Sequence, residues 1–419
     1  MNAQLREVGR WLKRQRLLWR IRVARGEEIK WANSALNWRE FWQKRVRLDS
    51  YPRWVQIGTN WTCNLKCNFC RLTLESTQRQ LRQLPKNELE ISDRILEEVL
   101  DLLPYPEMIT LTPLGEPLLY SKLGKILERH RELGCNNLAM TTNANLITED
   151  RAQMLVEGGV CHLFVSVDAV DPALYAQMRV LGSIDKVEAA LESINHWKEK
   201  LRTPFPTMTL ASTFMARNLP EMPKLLEFAL RHRFQTYSIQ IMEIENPELE
   251  PEFVGYHLPL LKEMLLRTLT TAQGKPIEVR VNLGMRNLVS QYLTESEASL
   301  VAHHTDGNAD EVFTPSAGDS SPAQGEENPL TQLSTRGKSL IEKCHYPWYF
   351  LLIDTDGDAR PCCWAAQSFG NLNRLTFDQV WNGEAAQQMR RNFLANHIPK
   401  SCQGKSCRVE LMHTGTLEE

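Results

Sequence analysis

The stretch Ile57-Gly58-Thr59-Asn60-Trp61-Thr62-Cys63-Asn64-Leu65-Lys66-Cys67-Asn68-Phe69-Cys70 runs from a strand-like apolar segment straight into three cysteines spaced C-x3-C-x2-C. A tight loop can aim three thiolates at one centre, and deprotonated sulfur is a strong ligand for soft metals and iron-sulfur clusters. A closed structural zinc site wants four protein ligands. No fourth cysteine or histidine lies close by, so either a distant residue completes the set or one coordination position stays open to a reactant.

Working outward, the chain from Arg53 alternates strand and helix signals, the pattern of parallel strands joined by right-handed crossovers. Strands are expected near 54–60, 108–112, 137–142, 162–168, 207–215 and 237–244, with helices near 92–103, 121–133, 149–157, 185–200 and 220–232. Six units predict an α/β fold, a partial (β/α)6 TIM-like barrel; 277–281 reads as a further strand, after which the rhythm is lost. In such barrels the acting residues sit at the carboxyl ends of the strands. The polar groups falling there are Glu116 in Gly115-Glu116-Pro117, Asn143 in Thr141-Thr142-Asn143-Ala144, Ser166 and Asp168, then Tyr175 and Arg179, and Asn218.

Cysteines 63, 67 and 70, with aromatic Phe69 before the last of them, resemble the signature of the radical SAM superfamily. The resemblance implies that three thiolates hold a 4Fe-4S cluster whose remaining iron is chelated by S-adenosylmethionine. It extends to Gly115-Glu116-Pro117, similar to the family's G-G-E-P with Leu114 for the first glycine, and to Thr142-Asn143-Ala144, similar to T-N-G with alanine for glycine. By that match Phe69, Glu116, Asn143, Ser166, Asp168, Arg179 and Asn218 are expected to line the cofactor pocket. A guanidinium fork suits a carboxylate, so Arg179 is expected on the cofactor's carboxylate. Asp168 reads equally well as a turn acceptor ahead of Asp171-Pro172, and Arg179 as a helix-surface charge.

The second cysteine group is Cys344, Cys362, Cys363, Cys402 and Cys407, with Cys344, Gly357 and Cys362 spaced C-x12-G-x4-C. It resembles the SPASM or shorter twitch domains that hold auxiliary clusters, and implies one auxiliary 4Fe-4S cluster on Cys344, Cys362, Cys402 and Cys407. A hairpin turning at Asp356-Gly357-Asp358 is expected to bring Cys344 and Cys362 together. Zinc on the same thiols is the bland alternative. Cys363 is left over, because adjacent strand residues face opposite ways. At the barrel mouth it would be a hydrogen-atom donor to a substrate radical; turned inward it would be a small buried hydrophobe.

At 419 residues, 42% hydrophobic and 24% charged, the chain can bury a full core. Eight of ten cysteines fall in the two clusters, which favours metal over a disulfide framework. The amino terminus lacks a signal-peptide core and no apolar run spans a membrane, so a cytoplasmic protein is expected. Residues 1–52 form a basic, Trp-rich helical extension that either packs its Trp face on the barrel or contacts a membrane surface, nucleic acid or partner; Trp31, Trp38 and Trp42 are expected to continue the packing. The barrel is expected over 53–300, a flexible polar insertion over 301–337 and the auxiliary-cluster domain over 338–419. The resemblance implies an enzyme that cleaves S-adenosylmethionine to a 5'-deoxyadenosyl radical, fed by a donor such as flavodoxin or ferredoxin, acting on a peptide or small-molecule substrate. A non-catalytic electron carrier and a zinc-stabilised binding protein are the alternatives.

Overall fold

In a computed structural model, residues 26–112, 114–242, 244, 246–304, 344–363, 365, 367–397, 399 and 402 are described. The basic segment up to residue 25, nearly all of the polar insertion and Cys407 lie outside the described residues.

Among the described residues there are twelve strands: β1 Trp54–Gly58, β2 Lys66–Cys67, β3 Met108–Thr112, β4 Leu138–Thr142, β5 His162–Ser166, β6 Arg179–Val180, β7 Thr207–Phe214, β8 Thr236–Ile241, β9 Glu278–Val281, β10 Phe350–Ile353, β11 Asp358–Arg360 and β12 Gly370–Asn371. Ten of them make one sheet in the order β12-β11-β10-β1-β3-β4-β5-β7-β8-β9. From β10 to β9 every pairing is parallel, as crossover helices require. The six expected strands all form, and the 277–281 segment supplies β9 beside β8. The C-terminal segment then returns to the start of the sheet: Phe350 pairs with Trp54 and Ile353 with Ile57. The hairpin expected at Asp356–Asp358 is the β10–β11 turn, with Gly357 at φ +88°, a conformation that favours glycine.

Register separates the two sheet faces. Ile57, Leu111, Met140, Val165, Leu210 and Ile239 point outward beneath the helices and are fully buried. Their neighbours Gln56, Thr141, Ser166, Ser238 and Gln240 point to the concave side and are half-buried. The helix Asp93–Leu102 shows how the outer layer forms. Ser92 caps it by accepting from the Ile95 N–H at 3.2 Å, and Ile95, Leu96, Val99 and Leu102 form one buried stripe.

The helix Gly26–Trp42 is docked by polar groups. Its buried face is Lys30, Asn33, Ser34, Asn37, Glu40 and Phe41. Asn37 Nδ2 donates to the Trp348 carbonyl at 2.7 Å and to Ser50 Oγ at 2.9 Å, while Asn33 Nδ2 donates to the Tyr105 carbonyl at 3.1 Å. Trp31 and Trp42 are 46% and 56% exposed, contrary to the expected continuous Trp packing; Trp38 packs, beneath the Arg53 guanidinium at 3.9 Å. The reason is that the asparagine stripe, and not the tryptophans, faces the protein. Asn37→Ala would leave the Trp348 carbonyl without this donor, and is expected to lower unfolding free energy by about 1–3 kcal/mol in urea denaturation.

Candidate functional site

The three-cysteine loop leaves the C-terminal end of β1 and is tied at once to the loop after β3. Asn60 Nδ2 donates to Thr62 Oγ1 at 2.8 Å, to the Thr62 carbonyl at 2.9 Å and to the Glu116 carbonyl at 3.2 Å; the Glu116 N–H donates to the Thr62 carbonyl at 2.7 Å. A Cβ on Gly115 would stand 2.3 Å from the Asn60 carbonyl oxygen, so this crossing requires glycine. Farther along, β2 pairs antiparallel with β6, placing Cys67 opposite Arg179.

Two buried carboxylates organise what surrounds the thiols. Glu116 is 2% exposed and accepts from Thr142 Oγ1 at 2.8 Å, the Asn143 N–H at 2.9 Å and the Leu118 N–H at 3.3 Å. Burial pushes its carboxyl up from the usual value, and these donors oppose the shift. They also shape the β4 loop, in which Ala144 sits at φ +59° with its N–H on Thr142 Oγ1 at 3.0 Å. The family resemblance puts glycine here because the backbone is left-handed; alanine pays that strain in this chain. Asp168 is 1% exposed; its Oδ2 lies 2.7 Å from Arg179 Nε and its Oδ1 accepts from the Thr213 N–H at 2.8 Å. Burial pushes the Asp168 carboxyl up, opposed by Arg179 and Thr213. Burial alone would weaken the hold of Arg179 on its proton, but Asp168 and Cys67 outweigh it and keep the guanidinium charged.

From these anchors side chains reach the cysteines, all half-buried and outside any disulfide. Asn143 Nδ2 lies 3.9 Å from Cys63 Sγ and 3.0 Å from Asn64 Oδ1; the Leu65 N–H donates to Cys63 Sγ at 3.4 Å. Arg179 Nη1 lies 4.0 Å from Cys67 Sγ, and its guanidinium stands 5.8 Å from the centre of the Phe69 ring. Burial pushes the Cys67 thiol up to about 11; Arg179 opposes this, while Asp168, Cys70 and Cys63 add to it. Burial likewise raises Cys63. If deprotonated, these thiols would repel one another, and a bound cation would relieve that repulsion. Among the described residues no three His, Cys, Asp or Glu side chains converge on a single metal ion.

Phe69 borders an apolar patch of Met178, Met215, Met242 and Leu249. Ser166 is half-buried on the concave face. Asn218 is fully buried and internally bonded: its Oδ1 accepts from the Met215 N–H, and its Nδ2 donates to the carbonyls of Asp168 at 2.8 Å and Thr213 at 3.0 Å. It steadies Asp168. The sequence motifs assign no role to Asn60 and Asn145. Asn145 Nδ2 donates to Tyr175 Oη at 2.9 Å and its Oδ1 accepts from the Ser183 N–H at 2.8 Å. The run Asn143-Ala144-Asn145 at a strand end was the available signal.

In the C-terminal segment Cys344 and Cys402 are half-buried and pack on the main core. Cys362 packs against Tyr349, Phe350 and Leu352 at the foot of the concave face. Cys363 is exposed, so the inward-facing alternative for it is not what forms; β11 ends at Arg360 and Cys362 and Cys363 lie in the bend and turn after it, so the expected strand alternation does not apply to them.

A sheet of this topology with thiols at the end of its first strand and carboxylate-anchored polar groups at the next ones is the architecture of a cluster-binding partial barrel. Comparison with known proteins agrees. Residues 62–228 match the radical SAM superfamily, and residues 344–408 match the SPASM iron-sulfur cluster-binding domain. These domains bring a 4Fe-4S cluster with S-adenosylmethionine, and an auxiliary iron-sulfur cluster. The fold is similar to that of Streptococcus suis SuiB bound to S-adenosylmethionine, with TM-score 0.53 and 15% identity over 83% of this chain and 69% of that one. It is also similar to native anSMEcpe with bound AdoMet, with TM-score 0.52 and 15% identity over 85% and 87% of the two chains. Curated relatives include a probable GTP 3',8-cyclase of Methanococcus maripaludis strain C6, 27% identical over 48% of this chain and 62% of its own length. That of strain C7 is 31% identical, over 48% and 60%. The chain thus spans under two thirds of these relatives. No helix among the described residues is long and apolar enough to cross a membrane.

Arg179→Met would leave Asp168 buried without its counter-charge and is expected to cost about 3–5 kcal/mol, with Asp168→Asn in the same chain recovering part of the loss. A double-mutant cycle by urea denaturation checks it, and additive losses would show that the two side chains are not coupled.

Proposed function

We propose that the chain is a radical SAM enzyme with one auxiliary 4Fe-4S cluster. It would act on an unactivated C–H bond of a peptide or small-molecule substrate in an oxidation, epimerisation or cross-linking. The observation that carries this reading is the meeting of Cys63 with Asn143 and of Cys67 with Arg179, the two polar residues each held by a buried carboxylate, Glu116 and Asp168. An electron carrier needs the thiols but not the second set of polar groups. The thiols of Cys63, Cys67 and Cys70 would hold the radical SAM cluster, and Cys344, Cys362, Cys402 and Cys407 the auxiliary one. When bound, the reduced cluster and S-adenosylmethionine supply a 5'-deoxyadenosyl radical able to abstract hydrogen.

The chain's own residues bind, orient and shield. Glu116 and Asn143 would face the cofactor's amine, Arg179 its carboxylate, and Ser166 and Phe69 its remaining surface. Asp168 and Asn218 hold Arg179 and the β7 loop in place for that task. The Met178, Met215 and Met242 patch beside Phe69 excludes water from a reactive centre. A flavodoxin or ferredoxin would deliver the electron, and the exposed Cys363 would return a hydrogen atom if the reaction is an epimerisation.

Replacing any one of Cys63, Cys67 and Cys70 by Ala is expected to abolish anaerobic release of 5'-deoxyadenosine while circular dichroism stays unchanged; release from any of the three variants would defeat the assignment. Cys363→Ala is expected to keep the full iron content of the chain. Loss of about four irons, one cubane, would make Cys363 a ligand.

A further inference from the structure

The β2–β6 ladder turns one face to the thiols and the other to solvent. Cys67 lies opposite Arg179, and Lys66 opposite Val180. Adjacent strand residues face opposite ways, so Lys66 and Val180 stand on the back of the ladder whose front carries Cys67 and Arg179. Lys66 is exposed, and its Cα is about 3.8 Å from that of Cys67. Val180 is 37% exposed and Leu181, next in the chain, 67% exposed. A turn holds Leu181 outward: the Gly182 N–H donates to the Arg179 carbonyl at 2.8 Å, and Leu181 takes φ +71°. A left-handed leucine is strained, and at this exposure it gains little burial to offset the cost. Strained residues of this kind cluster at functional sites.

The chain after Cys70 brings cations to the same loop. Thr73 Oγ1 lies 2.8 Å from the Cys67 carbonyl and 2.7 Å from the Cys70 carbonyl, which fastens the start of this excursion to the thiols. Its far end returns to the same loop, where the Trp61 N–H donates to the Leu89 carbonyl at 2.9 Å. Between them the helix Glu75–Leu81 buries none of its residues. Arg79, Arg82 and Lys86 are exposed, as are the acidic Glu75 and Glu88. Arg82 lies 3.6 Å from Glu75 with both side chains in open solvent, where such a pair is weak. Arg71, also exposed, is within electrostatic reach of Asp354 and is not counted with them. The whole chain has a net charge of -2, so the stretch from Lys66 to Glu88 is locally of the opposite sign.

We propose that this face, with Val180 and Leu181 as its apolar centre and Lys66, Arg79 and Arg82 as its cations, is where a small acidic electron-transfer protein docks. The proposal rests on the reading of Cys63, Cys67 and Cys70 as ligands of a redox cluster. The partner gives up one electron and the cluster gains it, with no bond made or broken. An apolar centre among cations suits a brief encounter steered by charge. Docking on the back of the ladder brings the donor close to Cys67 while leaving the concave face to the cofactor and substrate.

The test is isothermal titration of the anaerobic holoprotein with reduced flavodoxin, an acidic flavoprotein, together with release of 5'-deoxyadenosine driven either by that flavodoxin or by dithionite. Binding to wild type is expected to weaken about tenfold or more between roughly 0.05 and 0.5 M salt. The double variant Lys66→Glu, Arg79→Glu and the single variant Leu181→Glu are each expected to lose about tenfold in flavodoxin affinity and in flavodoxin-driven release. Their dithionite-driven release is expected to match wild type, because so small a reductant needs no docking surface. Unchanged flavodoxin affinity in both variants would overturn the proposal and leave the face to another occupant such as a substrate peptide. An equal loss of dithionite-driven release would overturn it as well, since the residues would then serve the site itself. Absence of dithionite-driven release from wild type, with flavodoxin binding still sensitive to the variants, would count against the enzyme reading and not against the docking face.

Discussion

The buried ion pair between Asp168 and Arg179 is the constraint on which the site depends. Arg179 lies on β6, which has a single partner strand, the two-residue β2 inside the cysteine loop. A ladder so short has little stability alone. Asp168, fixed by the Thr213 N–H and by Asn218, pins Arg179 and thereby the middle of the cysteine loop to the ends of β5 and β7. Such a pair adds little net stability over an apolar replacement, but leaving either charge alone is costly. Its value here is geometric: it allows one register for Cys67.

Glu116 does the corresponding work on the other side, gathering Thr142 and Asn143 toward Cys63. Each carboxylate is out of water and surrounded by donors, so each positions a second residue that reaches a thiol. The cysteine loop is therefore held from β3, β4, β5 and β7 at once, although by itself it has almost no regular structure. The same arrangement separates the labour of the sheet. Its outer face is apolar and holds the helices, while its inner face mixes half-buried polar groups such as Gln56, Thr141, Ser166, Ser238 and Gln240 with apolar clusters around Trp54, Phe164 and Phe350.

The auxiliary segment is bound into this frame as well. β10 pairs with β1, the strand that feeds the cysteine loop, and Thr355 Oγ1 donates to the Gly58 carbonyl at 2.9 Å. The helix Gly26–Trp42 and the buried Arg390 close the junction, the latter donating to the Pro347 carbonyl and the Val46 carbonyl, each at 2.9 Å. Burial pulls the Arg390 pKa down to about 9, and stacking on Trp381 at 4.5 Å accompanies those bonds. The two cysteine groups, far apart in the chain, are thus joined by one continuous sheet.

Much of this was legible in the sequence. Apolar runs broken by turn residues marked each parallel strand, and thiol spacing with polar groups at strand ends marked the site, because both signals are local. Gly357 could be read as a turn position for the same reason, whereas the close approach that requires Gly115 shows only in the fold. The pairing of β10 with β1 was not legible, since strand pairing across nearly 300 residues leaves no local trace. Nor was the outward turn of Trp31 and Trp42, because a helix buried through asparagines presents the opposite face from the one hydrophobicity selects. The ion pairs that balance Arg179, Arg280 and Arg360 belong to the same class. Sequence shows that charges exist and where they lie along the chain; whether each is already neutralised depends on which side chain the fold brings within 3 Å of it.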